Sequence, residues 1–364
     1  MSKAFKYILL IALLITNIPA KAQTSWPTPE IEQMYTQARE YLLQGNLPQA
    51  ITTYKQAIRL APHQMLLYRD LGKAYYLAGN YEDAQGVLDP LLKSNEADDQ
   101  SYQVMAACQY AAGEKKKAKN TIQNGLEKYP NSGILYHQLG KIYEEGDEMV
   151  HALQTWLDGI HKDPTYHLNY YEAARTYANS DKPVWVIIYG EIFVNIERHT
   201  PRSDETRSMI LQAYSKVFNS ISSSELPKYG KIKKAAQPSN FEETVRNTLL
   251  SLSPVISDGL TTENLAMLRT RFLMLWFAQY ADKYPFSLFR YEDKMARSGY
   301  FEIYNEWLLG KADNAQEFEA WDKFHIDAIK TFENWAQSNP IKPETSDFYN
   351  DMNVDNIFAR KKDR

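Results

Sequence analysis

Residues 64–97 read QMLLYRDLGKAYYLAGNYEDAQGVLDPLLKSNEA. Tyr68, Leu71, Gly72 and Tyr75 recur at helical spacing, and so do Ala84 and Leu88. Between the two sets lies Gly79-Asn80, a pair that ends a helix because glycine tolerates positive φ. The stretch therefore reads as two helices of about 14 residues joined by a tight turn.

The same pattern extends in both directions with a period of 34 residues. Alanines stand at Ala50, Ala84, Ala118 and Ala152, and tyrosines at Tyr68, Tyr102, Tyr136 and Tyr170. Pro62, Pro130 and Pro164 keep the period, with Glu96 in the one gap, and Tyr41, Tyr75, Tyr143 and Tyr177 mark another column. Turn signals fall at Gly45-Asn46, Gly79-Asn80, Gly113 and Gly146-Asp147. Small residues at Gly72, Ala106 and Gly140 let paired helices approach closely, and the unit-ending prolines stop the second helix. One helix pair leaves an apolar face bare, and stacked neighbours cover it.

A large residue, Leu-Gly, Tyr, Ala, a large residue and then Pro within 34 residues resembles the tetratricopeptide repeat. Residues 64–97 and 132–165 carry it best, the latter with Tyr136, Leu139, Gly140, Tyr143, Ala152, Trp156 and Pro164. Residues 30–63 and 98–131 carry weaker versions, and a fifth unit over 166–201 decays after Tyr170, Ala173, Ala174 and Tyr177. The expected fold is all-α: a solenoid of four to five helix-turn-helix repeats over residues 30–201, followed by a C-terminal helical domain over 202–345. Val184 to Ile196 is apolar and β-branched enough to suggest a strand, but the repeat phase favours a buried helix.

In the C-terminal third, Ser220 to Ser239 reads as a polar linker (residues 220–239). Ser239 with Glu242 offers a capping box for a first helix. Leu265, Leu268, Phe272, Leu275 and Gln279 trace a second. A third opens at Ala315 behind Asn314 and Glu317, and its stripe of Phe318, Trp321, Phe324, Ala328, Phe332 and Trp335 predicts one buried face. Pro340 and Pro343 introduce a loose end, with residues 346–364 as a polar tail.

Residues 1–22 read as a secretory signal peptide: Lys3 and Lys6, an apolar run from Tyr7 to Ile18, then Ala20-Lys21-Ala22 before Gln23. The run is shorter than the roughly 20 residues of a spanning helix. The predicted product is exported to the periplasm or secreted, with no integral span after cleavage. Cleavage removes three lysines of the 41 basic residues and none of the 45 acids, taking the net charge from −4 to −7. That acidity disfavours nucleic acid as a partner. The single cysteine, Cys108, lies mid-helix and reads as a buried thiol.

No catalytic, cofactor or metal motif is present. The seven histidines form no H-x3-H or H-E-x-x-H pair, and His161 and His167 read as solvated or capping residues. Adjacent acids such as Glu144-Glu145 and Glu242-Glu243 read as solvated helix faces. The expected function is a non-enzymatic scaffold. In the repeat family that the chain resembles, the first helix of each unit lines the partner-binding surface. Carrying that frame over gives one inward column of Arg39, Lys73, Ala107, Lys141 and Arg175, beside another of Tyr35, Arg69, Gln103, His137 and Tyr171. The candidate groove residues are therefore Tyr35, Arg39, Arg69, Lys73, His137, Lys141, Tyr171 and Arg175. Their cations and aromatic platforms suit a protein or peptide with an acidic or carboxylate-bearing segment. The asparagines of the family's carboxylate clamp are absent. The alternative is a glycan-binding or hydrolytic module in the C-terminal third, suggested by Trp276, Trp307, Trp321 and Trp335.

Overall fold

A computed structural model describes residues 26–219 and 240–350. The predicted signal peptide, the polar linker near 220–239 and most of the tail lie outside the described residues. Every regular element among those described is helical. Contacts divide the chain into two compact units, Met1–Ile142 and Tyr143–Arg364.

The first unit is built of helix pairs: α1 (Pro29–Leu43) with α2 (Leu47–Leu60), α3 (Met65–Leu77) with α4 (Tyr81–Lys93), and α5 (Asp99–Ala111) with α6 (Lys115–Lys128). The next helix, α7 (Gly133–Glu145), contains the division between the units. Helix α1 starts where Thr28 caps the amide of Ile31 and Pro29 supplies a first residue without an N–H. The close approaches are tight: a Cβ on Gly72 would lie 2.7 Å from Leu88 Cγ, and one on Gly125 would lie 2.9 Å from Leu135 and Tyr102. Gly45, Gly79 and Gly113 take φ of 75°, 78° and 85°. The position 34 residues further on is Asp147, and it adopts the same left-handed conformation at φ 60°. The phase of the repeat thus outranks the preference of the residue, since Gly146 stands one position too early.

The proline and tyrosine columns have a common cause. The hydroxyls of Tyr68 and Tyr136 donate to the carbonyls of Pro62 and Pro130, at 2.9 and 3.3 Å. In the second unit Tyr170 does the same to Pro164, at 3.1 Å. Each tyrosine ties the first helix of a pair to the turn before it.

The second unit contains α8 (Met149–Lys162), α9 (His167–Ala178), α10 (Pro183–Ile196) and α11 (Pro201–Asn219). The apolar run is the helix α10, and Pro183 to Asn195 is buried throughout. Its neighbours explain this, because α9, α11, α12 and α14 all pack against it. Helix α12 (Phe241–Ser251) is capped by Asn240, whose side chain accepts from the amide of Glu243, one residue later than the Ser239 box would place it. Then come α13 (Thr262–Gln279), α14 (Ser287–Arg297) and α15 (Phe301–Asn305), which runs on through a π-helical turn, Glu306–Gly310, to Asp313. Helices α16 (Ala315–Phe324) and α17 (Ile326–Ser338) follow.

Two expectations about this unit need correcting. The buried face of α13 is Leu265, Leu268, Arg269, Phe272, Leu273 and Trp276, whereas Gln279 is exposed. The stripe from Phe318 to Trp335 is not one buried face. His325 has left the helical conformation, so the register breaks between α16 and α17. Only Phe332 and Ala336 are buried in α17, nothing is buried in α16, and Phe324 is 87% exposed.

Arg269 is held inside this unit by two carboxylates. Its Nη2 donates to Glu191 of α10 and to Glu292 of α14, and its Nη1 donates to Asn305 at 2.7 Å. Tyr304 donates to Glu191 at 2.7 Å and accepts from Asn195 at 2.6 Å. Burial, reinforced by Glu191, drives the Glu292 carboxyl well above its ordinary range, although Arg269 opposes the shift.

Candidate peptide-binding face

In the first unit α3 lies against α5 as well as against its own partner, so side chains of successive first helices meet. Tyr35 on α1 is the centre of one cluster. Its hydroxyl donates to Asp70 Oδ2 at 3.0 Å, and its ring lies 4.6 Å from that of Trp26. The exposed Arg39 places its guanidinium 5.7 Å from the same ring, a cation–π distance. Burial, then Asp70, pushes the Tyr35 hydroxyl upward, so it stays a donor.

Arg69 donates from Nε to Asp70 Oδ1 at 3.0 Å and also pairs with Asp98. Asp98 caps α5 with its other oxygen, accepting from the amide of Ser101 at 2.8 Å. Burial works against the Arg69 charge, but these two carboxylates more than offset it. Lys73 lies one turn further along α3. Burial lowers its ammonium from the ordinary lysine value, with Arg69 and Arg39 adding to the effect and Asp70 opposing it. His137 on α7 is buried, at 7% exposure, so its ring is not an open platform; Lys141, on the same helix, is half-buried.

The second unit holds the other two candidates on α9. The Tyr171 hydroxyl donates to Glu205 of α11 at 2.9 Å, and its ring rests 5.1 Å from Phe193. Arg175 donates from Nε to Glu172 at 2.9 Å and pairs as well with Glu144. Arg69 and Arg175 are thus each compensated by two carboxylates, whereas Arg39 reaches solvent.

The helix pairs also match known families. Residues 38–79 match the model described as TPR repeat, and residues 102–132 match the model described as tetratricopeptide repeat. In those two stretches the helix pairs are similar to tetratricopeptide repeats. No curated protein matches the chain. Among solved structures, MamA is 19% identical with a TM-score of 0.34, over 49% of this chain and 93% of that one. Pseudomonas aeruginosa pilF is 13% identical with a TM-score of 0.42, over 59% and 95%. A tetratricopeptide repeat protein from Parabacteroides merdae is 14% identical with a TM-score of 0.36, over 67% and 93%.

Several side chains on these helix pairs escape sequence reading. The carboxylates of Asp70 and Glu172 do leave a signal, one residue after Arg69 and three before Arg175. Asp98 and Glu144 leave none, because they reach across from a neighbouring helix. Trp26 precedes the first repeat, and the 34-residue frame has no column for it. His167 is neither solvated nor capping: its Nε2 contacts Glu197 at 2.9 Å. Arg202 meets the same carboxylate at 3.1 Å. Burial alone would raise Glu197, but the bonds from His167, Arg202 and Thr200 prevail and hold it at about 2.

Trp276 and Trp307 are buried, while Trp321 lies between Phe318 and His325 and Trp335 lies against Tyr291 and Tyr300. Among the described residues no group of three or more His, Cys, Asp or Glu side chains could hold a metal ion. No described helix is long and apolar enough to cross a membrane.

Proposed function

We propose that the chain is an exported interaction scaffold of a bacterial envelope that holds an extended protein segment against the first helices of its tetratricopeptide repeats. The observation that carries this reading is the cluster formed by Trp26, Tyr35, Arg39, Arg69 and Lys73, in which a tilted aromatic pair lies beside cations of two first helices. A flat ring accepts the apolar part of a bound segment, and a neighbouring cation accepts its carboxylate.

The preferred occupant is an acidic or carboxylate-terminated segment. Cations outnumber carboxylates in the set Arg39, Arg69, Lys73, Lys141, Asp70 and Asp98. The two aspartates hold Arg69 rigid, and this lowers the entropic cost of using it as a donor. Arg39, Lys73 and Lys141 supply the charge that a ligand would meet. His137 is buried in the first unit, and Tyr171 and Arg175 belong to the second unit, where carboxylates engage them; the reading rests on the first-unit residues.

Selection of a random peptide library on the full chain tests this. Acid-rich sequences should be enriched, and Arg39→Glu with Lys73→Glu should abolish their binding while helicity is kept. Enrichment of sequences without acidic character, retained by the double variant, would move the binding surface elsewhere.

A further inference from the structure

The last described residues do not form a loose end. Ile341 is 7% exposed, and beyond it one 3-10 turn, Thr345–Asp347, is flanked by the extended residues Glu344 and Phe348. Phe348 and Tyr349 then insert between elements that are far away in sequence. The Tyr349 ring lies flat on Phe241, with centroids 4.1 Å apart and planes at 5°. Tyr284 and Phe286 meet it edge-on. The hydroxyl of Tyr189 donates to the main-chain carbonyl of Tyr349 at 2.7 Å, and the Tyr349 hydroxyl donates to the carbonyl of Pro285 at 3.1 Å. Phe348 sits 5.0 Å from the ring of His161 on α8.

We propose that this surface of the second unit is a peptide-docking groove, filled in cis by Phe348-Tyr349 and able to accept in trans an extended segment with two adjacent aromatic residues. Three features argue for docking over simple packing. Beyond the buried Ile341, the attachment is concentrated in two consecutive side chains and one main-chain carbonyl, which is how an extended ligand is recognised. The flanking contact from Arg290 to Glu344 is 3.5 Å long between exposed side chains and holds the segment little. A small cleft of about 20 Å³ also remains where Phe348 and Tyr349 meet Ile160, Pro164, Tyr170, Tyr189, Ile192 and Phe286, so the two aromatics do not fill the groove completely. Apart from the Tyr284–Phe286 connection and Pro164, the groove walls belong to helices, and α10 packs against α9, α12 and α14 directly. The proposal goes beyond the inner-face reading and uses none of its residues.

A fluorescent synthetic peptide of residues 341–350, followed by anisotropy, tests it on the full chain. Phe348→Ala with Tyr349→Ala empties the groove. That variant should bind the peptide at least tenfold more tightly than the intact chain, whose own segment competes, and a peptide with the same two alanines should not bind. Equal binding to both proteins, or none to the emptied groove, overturns the proposal. A second measurement leaves the groove intact. Thr345 is exposed and Cys108 is buried, so Thr345→Cys accepts a single probe. Excess unlabelled peptide should mobilise that probe, and unchanged anisotropy at saturating peptide would show the segment to be a fixed part of the fold.

Discussion

Arg269 of α13 donates to Glu292 of α14 at a point where the two side chains are 3% and 5% exposed. The same nitrogen also serves Glu191, so two carboxylates share one cation inside the second unit. With both carboxylates ionised the cluster would carry an uncompensated buried charge. Burial and the neighbouring Glu191 therefore disfavour the charged form of Glu292 and raise its carboxyl. Because its folded value lies above its unfolded value, its stabilisation is complete below the unfolded value and is lost as pH rises through the folded one. Thermal melts of the wild type should therefore fall as pH rises above the ordinary glutamate value, and Glu292→Gln should flatten that decline. A decline unchanged in the variant would place its origin elsewhere.

Removing the cation is a different matter. Arg269→Met leaves Glu191 without its buried partner and should cost about 3–5 kcal/mol, read as a lower urea midpoint. A loss under 1 kcal/mol would mean that water reaches the cluster.

Glu197 works in the opposite direction. Its folded value of about 2 lies below the ordinary glutamate value, so its stabilisation is present above the unfolded value and is lost as pH falls toward 2. Glu197→Gln should lose about 2 kcal/mol at neutral pH and lose less than the wild type on acidification. An acid limb of equal depth in both proteins would contradict the assignment.

How much of this was legible in the sequence follows the same division. Periodicity reports what a side chain does within its own repeat, so the paired helices, the glycine turns and the buried α10 could be read from it. It could not report partners from other helices. Arg269 stands amid an apolar stripe, and nothing nearby in sequence announces Glu191 or Glu292. Asp98 and Glu144 compensate Arg69 and Arg175 from the next or the preceding first helix, so the inward columns read as more basic than they are. The stripe over α16 and α17 misled for another reason: six apolar residues at helical spacing define one face only while the helix is unbroken, and His325 breaks it.

The Asp147 turn gives a direct check on the repeat phase. A left-handed aspartate is strained where glycine is not, so Asp147→Gly should stabilise the fold by about 0.5–1 kcal/mol in a denaturant titration. Destabilisation would mean that the Asp147 side chain makes a contact worth more than the strain.

The tyrosine–proline bonds predict a graded series. Tyr170 is buried, so Tyr170→Phe leaves the Pro164 carbonyl short of a partner and should cost about 1 kcal/mol. Tyr68 is half-exposed, water can replace its bond, and Tyr68→Phe should cost under about 0.5 kcal/mol. Equal losses would argue against the hydroxyl as the source.

The central claim is that the first helices of the repeats hold a protein segment. Its most direct test is the affinity of one selected acidic peptide for the intact chain and for Arg39→Glu with Lys73→Glu, measured by titration calorimetry at two salt concentrations. The account predicts saturable binding that weakens at high salt and falls at least tenfold in the variant. Binding that is indifferent to both salt and charge reversal would contradict it.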